Sequence, residues 1–223
     1  LLLTWADDIV RARPTAPWTV SAGRKYLPLV GVLCVFGMLY GGVMGSYAWL
    51  FGQRWLQVVY SAVKVPILLM VTSGLSLPFF FVVNSLYGLR DDFGKVLRAL
   101  LATQAALTVI LASLSPLTVL WYLSCDNYRA AILFNAFMFA VASVSAQLVL
   151  KQFYRPLITK NPMHQRLLKL WITLYGFVGI QMGWTLRPFI GSPDAPTQFF
   201  RQEAWGNAYL ELYRIITGLF GSG

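Results

Sequence analysis

The sequence predicts an all-α, polytopic membrane bundle of five transmembrane spans with an amphipathic helix at each terminus. Three observations carry that expectation. Leu27 to Leu50 reads LPLVGVLCVFGMLYGGVMGSYAWL without one charge, and about 20 apolar helical residues cross a hydrocarbon core of roughly 30 Å. Only 12% of the 223 residues are charged, where a soluble domain averages roughly 25%. The basic residues behind the net charge of +10 cluster at the ends of apolar runs. There they set orientation and meet lipid headgroups, so no nucleic-acid partner is expected.

The chain opens at Leu1 without a methionine, and an N-terminal piece is expected to precede it. Residues 1–25 form an amphipathic segment. Leu2, Trp5, Ile9 and Val10 share one helical face, and Asp7, Asp8 and Arg11 point away. Such a helix lies in the membrane interface or packs on its own protein. Pro14 and Pro17 end it.

The bundle is expected over residues 26–187. The first span runs from Leu27 to Phe51, followed by a turn at Gly52 to Trp55. The apolar stretch from Leu56 to Leu89 is too long for one untilted span. An interfacial turn up to Lys64 and a span from Val65 to Tyr87 resolve it. Pro66 then sits in a first turn, where its missing amide costs little, and Gly74 and Pro78 loosen the middle. Gly88 to Leu97 is a polar break. The third span covers Arg98 to Tyr122, kinked at Ser115-Pro116, and the fourth Ala130 to Leu150. Lys151 to Lys169 is a basic connection, and the fifth span covers Leu170 to Leu186. Residues 188–223 form a loop and a terminal interfacial helix, Asn207 to Phe220, with a sixth span as the alternative. Of the eighteen Lys and Arg, twelve fall on the side of the N-terminus. Five (Arg54, Lys64, Arg129, Arg187, Arg201) fall opposite, and Arg214 lies in the terminal helix. The excess of positive charge predicts a cytoplasmic N-terminus.

Few residues bear chemistry. Gly37, Gly41 and Gly45 form a four-residue repeat on the first span, and Gly176, Gly179 and Gly183 line the fifth. Such stripes let helix backbones approach closely, either within this bundle or against another subunit. Lys64 lies within an apolar stretch. It either snorkels to an interface or contacts an anionic lipid, solute or partner. Arg187, in WTLRPFIG, either closes a helix end by bonding terminal carbonyls or belongs to an ordered loop that meets lipid or a partner. Asn84, Gln104, Asn135, Gln147 and Gln181 are amides near or within spans; they join helices or line a polar path. The spans hold no Asp or Glu, which argues against a proton-coupled pump. His164 is the only histidine, so bis-His haem ligation within the chain is impossible and no zinc set assembles. Asp91-Asp92 reads as a solvated turn or helix start. Cys34 and Cys125 suggest no disulfide. No catalytic, cofactor or metal residues are assigned.

Lys64-Val-Pro66, Leu77-Pro78, Asn84 with Leu86 and Gly88, Ser115-Pro116 and above all Trp184 to Gly191 together resemble a set of uncharacterised bacterial multispanning proteins. Some of these are loosely grouped with five-span Yip1-type proteins. The resemblance covers the second to fifth spans. It implies a five-span bundle with a cytoplasmic N-terminus in a bacterial inner membrane, and it brings no activity; the trafficking motifs of Yip1 proteins are not visible. The leading expectation is a non-catalytic membrane subunit, a scaffold or accessory component of a larger complex, in contact with lipids and with other subunits or itself. The alternatives are a small channel or transporter for a solute or lipid and, more remotely, a membrane enzyme acting on a quinone or lipid.

Overall fold

The computed structural model describes residues 2–12, 26–191 and 197–200. Among them there is no strand. The helices are α1 (Leu2–Val10), α2 (Leu27–Gly52), α3 (Trp55–Leu86), α4 (Phe93–Ser124), α5 (Tyr128–Lys160) and α6 (Met163–Thr185), and a 3-10 turn, Arg90–Asp92, leads into α4. Four helices, α2 to α5, are long and apolar enough to cross a membrane. Their outer faces are apolar too: Leu123 and Leu133 are each 71% exposed, and Leu120, Phe137 and Val144 are exposed beside them. In water so large an apolar surface would drive association. Surrounded by lipid it is simply the wall of an integral membrane protein.

Several boundaries differ from the sequence expectation. No interfacial turn interrupts the second stretch: α3 is one helix of 32 residues with Pro66 and Pro78 inside it, about 48 Å long. Residues 151–160 continue α5, and a two-residue break replaces most of the expected basic connection before α6. Asn127 caps the start of α5 through its side chain, which accepts from the amides of Arg129 and Ala130, and the helix runs through Pro156 before it stops at Asn161-Pro162. In α1, Ala6 and Ile9 are the buried residues while Leu2 is exposed. That helix packs on α4 and α2, with Ile9 of the expected face buried and Trp5 packed beside it. The terminal helix expected at Asn207 to Phe220 lies outside the described residues.

The five long helices are arranged in the contact order α6, α3, α2, α4, α5. α5 and α6 are joined by a short turn but scarcely touch along their lengths, so the ring is open along that seam. One end of the bundle carries Tyr26, the turn at Gly88–Asp92 and the Lys160–Met163 connection. The other carries the turns after α2 and α4 and the segment after α6.

The closest helix contact is between α2 and α3. A Cβ added at Gly41 would stand 2.9 Å from the Ala62 Cα and closer still to the Ser61 carbonyl oxygen; one at Gly45 would meet the Gln57 carbonyl oxygen and the Val58 Cα at 2.8 Å each. Only glycine permits that backbone approach. Gly37 lies one turn further, against the Pro66 ring at 3.1 Å. This stripe is thus used inside the bundle. Gly41→Ala is expected to lower unfolding stability in detergent by about 1–3 kcal/mol through overpacking. Gly31→Ala, where nothing lies within 4 Å of the new methyl, leaves stability unchanged or raises it. Thermal unfolding of the two variants checks this.

Candidate functional site: a latched loop and a lateral groove

Gln57, Ser61 and Lys64 are spaced i, i+4 and i+7 on α3, so they form one polar stripe. All three are buried, Lys64 completely. The stripe faces the segment after α6, where the chain turns back at Leu186 and reaches Pro188 through a cis Arg187-Pro188 peptide. Lys64 Nζ donates to the Pro188 carbonyl at 2.7 Å. Gln57 Nε2 donates to the carbonyls of Pro188 and Phe189 at 3.2 and 3.0 Å, and the Ser61 hydroxyl donates to Phe189 as well. Phe199 places its ring 5.0 Å from Lys64 Nζ. A buried carbonyl must find a donor, and here α3 supplies three. The snorkelling expected for Lys64 is therefore corrected: its ammonium points into the protein and fastens a loop.

Gly191 closes the latch. Its φ is +75°, and a Cβ there would meet Gln57 Cγ at 2.6 Å, so glycine is required for both conformation and space. Arg187 Nε donates to the Trp184 carbonyl at 3.3 Å, the helix-closing role foreseen in the sequence, and its guanidinium lies 3.1 Å over the Trp184 ring.

Beside the latch, the open seam between α5 and α6 is a groove in two connected parts. The part at the Pro188 end has a volume of about 650 Å³ and is walled by Ile132, Ala136, Ile180 and Gly183, with Arg187 and Pro188 at its end. The deeper part, about 450 Å³, is walled by Leu69, Thr72, Gln104, Gln147, Gly176 and Gly179. Leu68, Phe139 and Ile180 border both. The second glycine stripe thus faces the groove: nothing lies within 4 Å of a Cβ at Gly176 or Gly183, and at Gly179 only the Thr72 methyl does, at 3.6 Å.

Two of the five amides join helices. Asn135 accepts from the Tyr40 hydroxyl at 3.1 Å and donates to the Tyr122 oxygen at 2.7 Å. Tyr122 in turn donates to the Met44 carbonyl, so α2, α4 and α5 are tied together. Gln104 accepts from Tyr175 at 2.8 Å, and Asn84 bonds its own helix at Phe80.

At the opposite end, the sequence reading of Asp92 as solvated is corrected. Asp92 is 6% exposed and accepts from Lys160 at 2.8 Å and Lys95 at 3.1 Å, which joins the start of α4 to the end of α5. Hydrogen bonds from Lys160 and then Lys95 hold its pKa down to about 2. His164 is fully buried with Nε2 3.7 Å from Asp92. Burial lowers its pKa despite the opposing pull of the Asp92 charge. Cys34 and Cys125 are free thiols. Among the described residues no group of three or more His, Cys, Asp or Glu converges to hold a metal.

Two outcomes follow from these contacts. Lys64→Met removes the shorter, charged bond to the Pro188 carbonyl and leaves it only Gln57 at 3.2 Å; it should cost about 1.5–3 kcal/mol, with faster amide hydrogen exchange at residues 187–191 read by mass spectrometry. Acidification should weaken the bundle in two stages. Below the ordinary histidine value of 6.5 the unfolded chain takes up a proton that buried His164 resists, so stability falls first there. Below the ordinary carboxyl value of 3.8 and down to about 2, protonation removes the stabilisation that Asp92 gives as a carboxylate. His164→Gln abolishes the first stage in pH-dependent melts and keeps the second.

No family model, no curated protein and no solved structure matches the chain.

Proposed function

We propose that the chain is a non-catalytic integral membrane subunit, a scaffold or accessory component of a larger complex, and that the α5/α6 seam is its assembly face. The observation that carries this reading is the glycine stripe of α6. The stripe on α2 is consumed by α3, whereas Gly176 and Gly183 meet nothing within 4 Å on a seam where the ring of helices stays open. Close backbone approach is the main adhesive available between helices in lipid, and an uncovered stripe is where a neighbour gains most from it. In this reading α6, 23 residues and about 35 Å long, is the fifth span. Its basic first turns stand at the cytoplasmic face with the N-terminus, following the twelve-to-five distribution of Lys and Arg, and the membrane is a bacterial inner membrane. A small transporter for a solute or lipid is the second reading; Thr72, Gln104 and Gln147 in the deep part of the groove favour it.

Blue-native electrophoresis after mild solubilisation tests the assembly reading. The native chain should migrate well above monomer mass. Gly183→Leu should weaken that species about tenfold, which corresponds to about 1.4 kcal/mol, without lowering thermal stability. A monomer alone, or a complex indifferent to Gly183→Leu, contradicts the reading.

A further inference from the structure

We propose that the α5/α6 seam takes a neighbour's transmembrane helix that carries one neutral carboxamide, Asn or Gln, at the middle of the membrane, and that Thr72 and Gln147 receive it. The inference deepens the assembly reading, since it names the chemistry of the neighbour that fills that face.

Length fits the seam to a helix. Along α5 the lining runs from Tyr128 to Gln147, about 29 Å of helix, close to a hydrocarbon core of roughly 30 Å. Along α6 it runs from Ile172 past the helix end to Arg187, and Gly176 and Gly183 leave room there for a second backbone.

The deep part of the groove sets the polarity of the neighbour. Four helices meet there near their midpoints, with Thr72 of α3, Gln104 of α4, Gln147 of α5 and Tyr175 of α6 in the wall. Tyr175 donates to Gln104 at 2.8 Å, which leaves Thr72 and Gln147. Thr72 is 1% exposed. Among the described residues, neither its hydroxyl oxygen nor the buried Gln147 Oε1 meets a hydrogen-bond partner. Rotation about one side-chain bond re-aims either group within the groove. Folded proteins seldom leave such groups orphaned, and at this depth no bulk water replaces the missing bond. A partner from outside the chain does.

Elimination names that partner. An apolar side chain would seal both atoms in unpaired. Lysine or arginine would bring a charge with no counter-ion, because no Asp or Glu lines either part of the groove. A carboxylate would be stranded too, since Arg187 is the single charged residue in the lining and stands at the Pro188 end. A serine or threonine hydroxyl tends to spend its proton on its own helix, as Ser76, Thr103, Ser113 and Ser145 do in this chain. A carboxamide keeps both functions free. Its NH2 donates to Gln147 Oε1, and its oxygen accepts from the Thr72 hydroxyl.

The test uses the full chain in phosphatidylcholine vesicles and three host helices of about 20 Leu and Ala residues between lysine flanks. They are identical but for Asn, Leu or Lys at the centre. Each carries a dansyl group and is added as a trace against excess lipid, and binding is read as energy transfer from the chain's tryptophans. The Asn helix should bind about three- to tenfold more tightly than the Leu helix, in keeping with interhelical hydrogen bonds in a membrane. The Lys helix should bind least. Thr72→Val combined with Gln147→Met should erase the preference for Asn without lowering the melting temperature, because neither side chain hydrogen-bonds within the described residues. Gly183→Leu should abolish binding of every host helix.

Equal binding of the Asn and Leu helices by the native chain overturns the proposal, as it would if water alone satisfied the two groups. If that binding is still lost in Gly183→Leu, the assembly face stands. A preference for Asn that survives Thr72→Val with Gln147→Met also overturns the proposal, since the amide then sits elsewhere. Binding of no host helix, or binding indifferent to Gly183→Leu, removes the assembly reading and this proposal with it.

Discussion

The backbone contact between α2 and α3 is the constraint on which the other features rest. Within lipid, no hydrophobic gain accrues from moving one apolar helix against another, and every polar backbone group must be satisfied by protein. Gly41 and Gly45 answer the first condition by admitting the α3 backbone at Gln57, Val58, Ser61 and Ala62. The same two turns of α3 answer the second. Gln57 and Ser61, whose backbones are gripped from the α2 side, turn their side chains to the carbonyls of Phe189 and Pro188. Lys64, one turn on, completes the set. The helix pair therefore presents a rigid row of donors, and the row holds down a segment that would otherwise bury unpaired carbonyls.

The two ends of the bundle are tied by different chemistry. At one, a buried ammonium and two neutral donors meet backbone carbonyls. At the other, two lysines meet one carboxylate, with a buried imidazole nearby. The α5/α6 seam runs between these knots, closed at the Asp92 end by the short turn and bounded at the Pro188 end by the latched loop. An opening held at both ends keeps its shape, as a face that receives a neighbour or a lipid needs to do.

Much of the fold was legible because the solvent is legible. Runs of apolar residues, their spacing and the charges at their ends determine where the long helices fall. The glycine repeats were visible as surfaces of close approach. What separates them lies outside any local pattern: the stripe on α2 faces α3, and the stripe on α6 faces open space, a difference set by how the ring closes. Length reasoning misled at Lys64. A charge in an apolar run suggested a break and an interfacial position, and the break vanishes once a carbonyl from residue 188 receives the charge. The signal that existed was the periodicity of Gln57, Ser61 and Lys64, three polar residues on one helical face. Asp92 and His164 were hidden for the same reason. Their partners are Lys160 and each other, brought together by the meeting of three helix ends.

A double-mutant cycle on Gly41→Ala and Lys64→Met, measured by unfolding in one detergent, tests the central claim most directly. If the glycine contact is what positions the row of donors, parting α2 from α3 already loosens the latch. The two substitutions should then be less damaging together than their sum, with a coupling of about 0.5–3 kcal/mol. Additivity within about 0.3–0.5 kcal/mol would mean that the latch holds without the helix contact, and would contradict the account.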